Sequence, residues 1–243
     1  MIWLRSLLFT TLLFLSVPVH ATAVLLLSPF GHRVYYRVAV NWAQVNLWLL
    51  EKLCGLRFEV EGAENMPAQP CVLYWKHESV FETMAGALAL PPQTWVVKRE
   101  LMWLPFFGWG LALLKPIAIN RAAGRVAVKQ VIGQGQQRLS DGLCVVIYPE
   151  GTRVLPGHER RFGVSGAALA KAAGCPLVPV AHNAGDFWPR RSFRKHAGVI
   201  RVVIGPPIDT TSLEHDEITR RGREWIADTI ERISPHRKKP EKQ

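Results

Sequence analysis

The sequence lacks the marks of several chemistries. Its four cysteines (Cys54, Cys71, Cys144 and Cys175) form no C-x-x-C pair and no zinc-ligand spacing, so neither a disulfide framework nor a zinc site is expected. Three of them stand in apolar, strand-like or loop-to-strand contexts, where reduced buried thiols belong. No G-x-S-x-G is present: Gly163-Val164-Ser165-Gly166-Ala167 lacks the final glycine, and with it the usual serine nucleophile elbow. There is no internal repeat and no long low-complexity linker. At 243 residues the chain is long enough for one domain with a sizeable core and a short appendage.

The most informative absence is of charge. From Ser6 to Gly31 there is no Asp, Glu, Lys or Arg, a span long enough to cross a hydrocarbon core, which takes roughly 20 apolar residues as a helix. Arg5, the run Leu7 to Val17 and Ala21-Thr22-Ala23 imitate a signal peptide with its cleavage site. The apolar character then continues through Val24-Leu25-Leu26-Leu27, where a mature secreted protein should turn polar, and this favours an uncleaved anchor. Pro18 and Ser28-Pro29 should bend or stop the helix, so a bent span and a re-entrant hairpin both fit. The next stretch, Val34 to Leu53, carries Tyr35, Tyr36, Trp42 and Trp48 with few charges. It reads either as an interfacial helix with rings at the headgroup level or as a core helix.

Elsewhere charge is plentiful and one-sided. The formal net charge is +11, concentrated in Arg190-Arg191-Ser192-Phe193-Arg194-Lys195-His196 and in Arg237-Lys238-Lys239. Such an excess points to anionic partners, or to a solvated face and a frayed terminus, without choosing among them.

Beyond Gly55 the pattern is α/β. Strand-like runs fall at Phe58 to Val60, Cys71 to Trp75, Trp95 to Val97, Ile117 to Ile119, Cys144 to Tyr148, Leu177 to Ala181 and Ile200 to Ile204. Helix-like stretches lie between them at Thr83 to Leu90, Arg125 to Leu139, Gly166 to Ala173 and Glu217 to Ile233. Near-continuous apolar strands such as Cys144-Val145-Val146-Ile147 require a sheet covered on both faces. The expected fold is a mixed, largely apolar sheet flanked by helices and preceded by a helical membrane anchor. Its divisions are 1–54 (anchor and interfacial helix), 55–234 (α/β domain) and 235–243 (basic disordered tail).

Four blocks carry possible chemistry. In Lys76-His77-Glu78-Ser79-Val80-Phe81-Glu82, His77 directly follows an apolar strand, and Glu82 can return from the first helical turn toward its imidazole. A carboxylate on one ring nitrogen fixes the tautomer and raises the basicity of the other, as a general base requires. On spacing alone, a structural hydrogen bond accounts for the pair better. Tyr148-Pro149-Glu150-Gly151-Thr152-Arg153 also follows an apolar strand. A glycine turn with a hydroxyl and a guanidinium is a natural anion cradle, or an ordinary turn with a surface ion pair. Ile117-Ala118-Ile119-Asn120-Arg121 is a short strand ending in a cation, and Pro176-Leu177-Val178-Pro179-Val180-Ala181 is an apolar strand that reads as scaffold or as one wall of an apolar channel.

In this order, after an apolar N-terminus, the four blocks resemble the glycerolipid acyltransferase family of lysophosphatidic acid acyltransferases. His77 to Glu82 looks like its H-x-x-x-x-D motif, Tyr148 to Arg153 like its F-P-E-G-T-R block, and the other two like its strand ending in Arg and its V-P-V strand. The resemblance covers about Cys71 to Ile208. It implies His77 as base and Glu82 as its orienting carboxylate. Glu150, Gly151, Thr152, Arg153 and Arg121 then surround the acceptor's phosphate, with Lys98 helping to hold it. Two positions depart from the family pattern: Glu82 replaces the usual Asp, and Tyr148 the frequent Phe. Glu78, adjacent to His77, should point away.

The implied reaction moves a fatty acyl group from acyl-CoA or acyl-carrier protein to the free hydroxyl of 1-acyl-glycerol-3-phosphate, giving phosphatidic acid. No cofactor, metal or covalent acyl-enzyme is called for, and no nucleic-acid partner. The expected setting is the inner membrane or another cytoplasm-facing membrane, with an anionic bilayer surface as partner and the catalytic domain on the cytoplasmic side. The alternatives are another acceptor, such as a different lysolipid or glycerol 3-phosphate, a hydrolase pairing His77 with Ser79 or Ser165, and a non-enzymatic basic adaptor.

Overall fold

The uncharged N-terminal run forms one long helix, α1 (Ile2–Leu27), in a computed structural model that describes residues 1–234. The basic tail expected from Pro235 lies outside the described residues. Contrary to the expectation of a break there, α1 continues through Pro18. Side chains on either side of the proline bond the helix backbone: Ser16 Oγ donates to Leu13 O (2.7 Å), and His20 Nδ1 lies 3.0 Å from Ser16 O. The stop comes at the second signal, where Ser28–Phe30 makes a 3-10 turn into Gly31 at φ +95°. Helix α2 (His32–Cys54) then returns alongside α1.

Polar contacts lock this hairpin. Trp42 Nε1 and Asn46 Nδ2 both donate to Ser16 Oγ, at 2.9 and 3.1 Å. Such bonds in apolar surroundings are worth about 0.6–2 kcal/mol each. Of the α2 aromatics, Tyr35 is buried, Trp42 joins this lock, and the Tyr36 hydroxyl accepts the N–H of Gln93 at 3.0 Å. Trp48 alone of the four is well exposed, at 57%. The helix therefore covers core along most of its length, and at Cys54 it ends on Gly55 in the left-handed conformation.

The remaining elements alternate as the apolar runs require: β1 (Leu56–Glu61), β2 (Val72–Trp75), α3 (Phe81–Ala89), β3 (Gln93–Lys98), α4 (Phe107–Leu113), β4 (Ile117–Ile119), α5 (Arg125–Ser140), β5 (Cys144–Ile147), α6 (Ser165–Ala173), β6 (Leu177–His182), α7 (Ala184–Phe187), β7 (Gly198–Ile204) and α8 (His215–Ile233). All seven expected strands form, in one sheet of order β1-β7-β6-β2-β5-β3-β4. The pairings are parallel except β6 with β7, so the sheet is mixed.

Alternate side chains of the central strands feed two cores. On one face Leu73, Trp75 and Val146 pack with Met84 of α3 and with Phe9, Leu47 and Leu50 of the hairpin. On the other, Val72, Tyr74 and Val145 pack with Val131, Leu169 and Ile226 of α5, α6 and α8. The N-terminal hairpin is thus built into one of the two cores.

A buried lysine fastens it further. Lys195 is 3% exposed, and its backbone N–H donates to Ser6 Oγ at 3.0 Å. Its ammonium donates to Thr10 Oγ1 and Phe193 O and sits 5.0–5.4 Å from the ring centres of Phe9, Trp188 and Phe193. Desolvation lowers its pKa. Replacing Lys195 by Ala removes a cation–π cluster worth about 0.5–2 kcal/mol and hydrogen bonds worth about 1 kcal/mol each. We expect a loss of about 2 kcal/mol, read as a lower thermal midpoint in detergent and faster limited proteolysis of the N-terminal helices. An unchanged midpoint would mean that apolar packing alone holds the hairpin.

Candidate active site

Five adjacent parallel strands, β6-β2-β5-β3-β4, end at one edge of the sheet, where crevices outside the strand termini receive ligands in α/β folds. Lys98 ends β3, and His77, Arg121 and the 148–153 turn follow the ends of their strands. The β2 ladder continues through Lys76, whose N–H donates to Val180 O at 3.0 Å, and His77 is the first residue beyond it. Its carbonyl accepts the N–H of Val154 at 2.8 Å, tying the two loops together.

The His77–Glu82 contact is made. Nδ1 of His77 lies 2.7 Å from Oε1 of Glu82, a carboxylate with no solvent exposure. The same carboxylate accepts the N–H groups of Glu78 (3.0 Å) and Ser79 (2.9 Å), otherwise orphaned where the chain enters α3. Burial pushes the Glu82 carboxyl up. The neighbouring His182 and His77 and the Ser79 N–H outweigh it, and its pKa stays below the ordinary glutamate value of 4.5. With Nδ1–H donating to a carboxylate, the lone pair of His77 is on Nε2. The ring is 12% exposed and stacks on Tyr148, with centroids 4.0 Å apart at 19°.

Two participants were not singled out by spacing. His182, the last residue of β6, is fully buried, with Nε2 3.8 Å from Glu82 Oε2 and 2.8 Å from Lys76 O. Its Nδ1 faces the N–H of Ala184 at 3.1 Å, which aims Nε2 at Lys76 O and Glu82. Lys76 is the second. Its ammonium is buried 2.9 Å from Glu150 Oε1 and 3.6 Å from Glu78 Oε1. The only sign of either in the sequence is a polar residue at the end of an apolar strand.

Glu150 departs from its expected place around a phosphate. Its side chain has no exposure and turns inward to Lys76, with Oε1 also 3.5 Å from the His77 N–H. A carboxylate there braces the strand ends from below, where an anionic ligand would not meet it. Gly151, Thr152 and Arg153 are half-buried at the rim. Gly151 has φ +69°, and a Cβ there would meet nothing within 4 Å, so glycine is required by backbone conformation and not by space. Arg121 is brought to this turn by donating to Gly151 O. Lys98 is exposed and 3.7 Å from Glu100. Glu78 faces Lys76 and Gly185, away from the His77 ring. Ser79 is buried, its Oγ accepting the Phe81 N–H at 3.3 Å.

The chain has clear relatives. The family model for Acyltransferase matches residues 57–183. A 1-acyl-sn-glycerol-3-phosphate acyltransferase of Pseudomonas aeruginosa is 42% identical over 237 residues, covering 96% of this chain and 92% of that protein. The human 1-acyl-sn-glycerol-3-phosphate acyltransferase alpha is 30% identical over 172 residues, covering 70% of this chain and 61% of that protein. Among solved structures, the 1-acyl-sn-glycerophosphate acyltransferase PlsC of Thermotoga maritima superposes with a TM-score of 0.78 at 20% identity, over 96% of this chain and 98% of that one.

The buried groups carry two predictions. The Tyr148 hydroxyl is buried without a hydrogen-bond partner among the described residues, and burial, with Glu82 and Glu150 nearby, holds its pKa well above the usual phenol value. An unsatisfied buried hydroxyl costs about 1–3 kcal/mol, so Tyr148→Phe should raise the thermal midpoint. A lowered midpoint would reveal a partner for the hydroxyl. A carboxyl whose folded pKa lies below its unfolded value contributes stability above the unfolded value and loses it as pH falls through the folded one. Wild-type stability should therefore decline below about pH 4.5 partly through Glu82. Glu82→Gln should flatten that acid limb in denaturant titrations at several pH values, and an unaltered limb would assign it to other carboxylates.

Proposed function

The chain belongs to the acyltransferase family, and from that premise we propose that it acylates the free hydroxyl of 1-acyl-glycerol-3-phosphate to give phosphatidic acid. The acyl group comes from a thioester donor, acyl-CoA or acyl-carrier protein. The observation that carries the reading is the His77–Glu82 pair at 2.7 Å, which engages Nδ1 and leaves Nε2 as the basic nitrogen of a ring at the strand ends. Relatives named for this reaction supply the acceptor.

In the proposed mechanism, Nε2 of His77 takes the proton of the acceptor hydroxyl as its oxygen attacks the thioester carbonyl. Glu82 holds the ring in the required tautomer and stabilises the imidazolium that forms. The tetrahedral oxyanion collapses, the C–S bond breaks, and the leaving thiolate recovers the proton from His77. Ester and thiol are the products, and the enzyme returns to its starting state without a covalent intermediate. A hydrolase reading is not favoured, because Ser79 is buried and engaged by Phe81 N–H. Arg121, Arg153 and Thr152, with the Gly151 turn, provide the cationic and polar rim for the acceptor's phosphate. Lys98 contributes charge from the next strand end.

The membrane setting follows from the hairpin. α1 is long and apolar enough to cross a bilayer, and its outward face exposes Leu4, Leu8, Phe14, Leu15 and Val19. It also touches the α/β body near both ends, at Ser6 against Lys195 and at Ala21 against Gly110. The fifteen residue steps from Ser6 to Ala21 rise about 22 Å, most of the ~30 Å hydrocarbon thickness. A span across both leaflets would drag the body in with it. We therefore place the hairpin in one leaflet of a cytoplasm-facing membrane, where thioester donors are supplied.

The test is purified protein in lipid with lysophosphatidate and acyl-CoA, following thiol release and phosphatidate formation. His77→Ala should lower kcat by about 10²–10⁴-fold with a smaller effect on KM. Equal turnover in both proteins, or none in wild type across several donors and acceptors, would overturn the assignment.

A further inference from the structure

One surface feature is untouched by the mechanism. Between β3 and β4 the chain exposes Trp103 (69%), Leu104 (48%), Phe106 (42%) and Trp109 (49%) within seven residues. Isolated apolar residues are ordinary on a protein surface, but a cluster of large ones marks a contact. The Phe106 and Trp109 rings are 5.3 Å apart, so the side chains form one patch.

The loop is shaped to hold them out. Phe107 N–H donates to Pro105 O at 2.6 Å across Phe106, which has φ 60° and ψ −61°. This is a γ-turn of the strained hand, and φ above zero is a genuine outlier for a bulky residue. Gly108 keeps the loop tight, since a Cβ there would come within 2.4 Å of Met102 O. The strained turn thus holds the Phe106 ring toward solvent.

We propose that this loop is a second bilayer-insertion element, seated at the boundary between headgroups and acyl chains beside the N-terminal hairpin. Position argues for lipid. α4 packs on α1, with Gly110 against Ala21, and Leu114 shares a small core with Val24 and Tyr35. The patch therefore lies on and beside a helix that packs directly against the hairpin. Composition agrees, because tryptophan and phenylalanine are preceded by the exposed cations Lys98 and Arg99. Aromatic rings next to basic side chains are what an anionic headgroup layer receives. A second copy of the chain fits less well: a stable interface uses about 20–30 residues a side, and a loop tip offers a handful.

The loop also starts at the end of β3, on the edge that carries His77. Seating it in the interface turns that edge toward the leaflet, so that an acceptor's hydroxyl reaches the base while its acyl chain remains in lipid. This last step rests on the proposed reaction; the seating itself does not.

The test labels Leu104→Cys with an environment-sensitive fluorophore, the four native cysteines being buried. On vesicles of phosphatidylcholine and phosphatidylglycerol the label should shift to shorter wavelength and be quenched by brominated acyl chains. A label at Arg221→Cys on α8 should do neither. An unshifted Leu104 label on vesicles that quench a label at Leu15→Cys in α1 would overturn the proposal. So would a shift that needs only rising protein concentration without lipid, which would give the patch to a second copy.

A Trp103→Ser/Phe106→Ser/Trp109→Ser variant connects the seating to turnover. Its activity should fall by about tenfold on vesicle-borne acceptor and change by less than about twofold on a monomeric short-chain acceptor, as expected for lost interfacial anchoring. An equal fall on both acceptors, or no fall on either, would remove the link. If wild type turns over neither acceptor, the proposed reaction fails while the fluorescence result still decides the seating.

Discussion

A carboxylate with no access to water organises this site. Burying an ionised Glu82 is costly unless its oxygens are occupied. They are met by the His77 ring and the Glu78 and Ser79 N–H groups, with the His182 imidazole alongside. Each partner is fixed by something else. His182 is held by Lys76 O and the Ala184 N–H, and the two backbone donors by the turn into α3. The imidazole of His77 is thus clamped on its edge by Glu82 and on its face by Tyr148. Only its outer nitrogen remains for chemistry, which is the degree of freedom that a general base needs.

Below this arrangement lies a second ionic layer, Lys76 with Glu150 and Glu78. Removing one member of a buried pair leaves an uncompensated charge, so these residues constrain one another as well as the strand ends. Glu150 belongs to this layer, while its neighbours Gly151, Thr152 and Arg153 belong to the rim. One short turn after β5 therefore serves both sides of the site. Its backbone passes from buried support to half-buried rim at the glycine with positive φ.

The strands were legible because the central ones, such as Val72 to Trp75 and Cys144 to Ile147, are buried on both faces, and continuous apolar runs have few other uses. The His77–Glu82 pair was legible only in company, since spacing brings two residues near without giving their rotamers. Side-chain direction is also why the inward turn of Glu150 could not be read: motif position says where a residue leaves the backbone, and burial decides which way it turns. His182 was masked by the apolar strand it terminates. The α4 region was unread because Met102 to Leu114 mixes glycine, proline and aromatic residues without helical alternation. Its helix is short and takes its register from packing on α1. Pro18 failed as a stop signal in a helix that is packed along a partner helix, α2.

The tie between Lys195 and Ser6 joins residues 189 apart in the chain. The segment that clasps Ser6 is therefore made long after Ser6 itself. Contacts of such separation form late, because loop-closure entropy must be met before they reward it. Until residue 195 is made, the Ser6 end of α1 lacks this clasp. In the proposed membrane setting a bilayer shelters that apolar helix in the meantime, which gives lipid a part in assembly as well as in substrate supply.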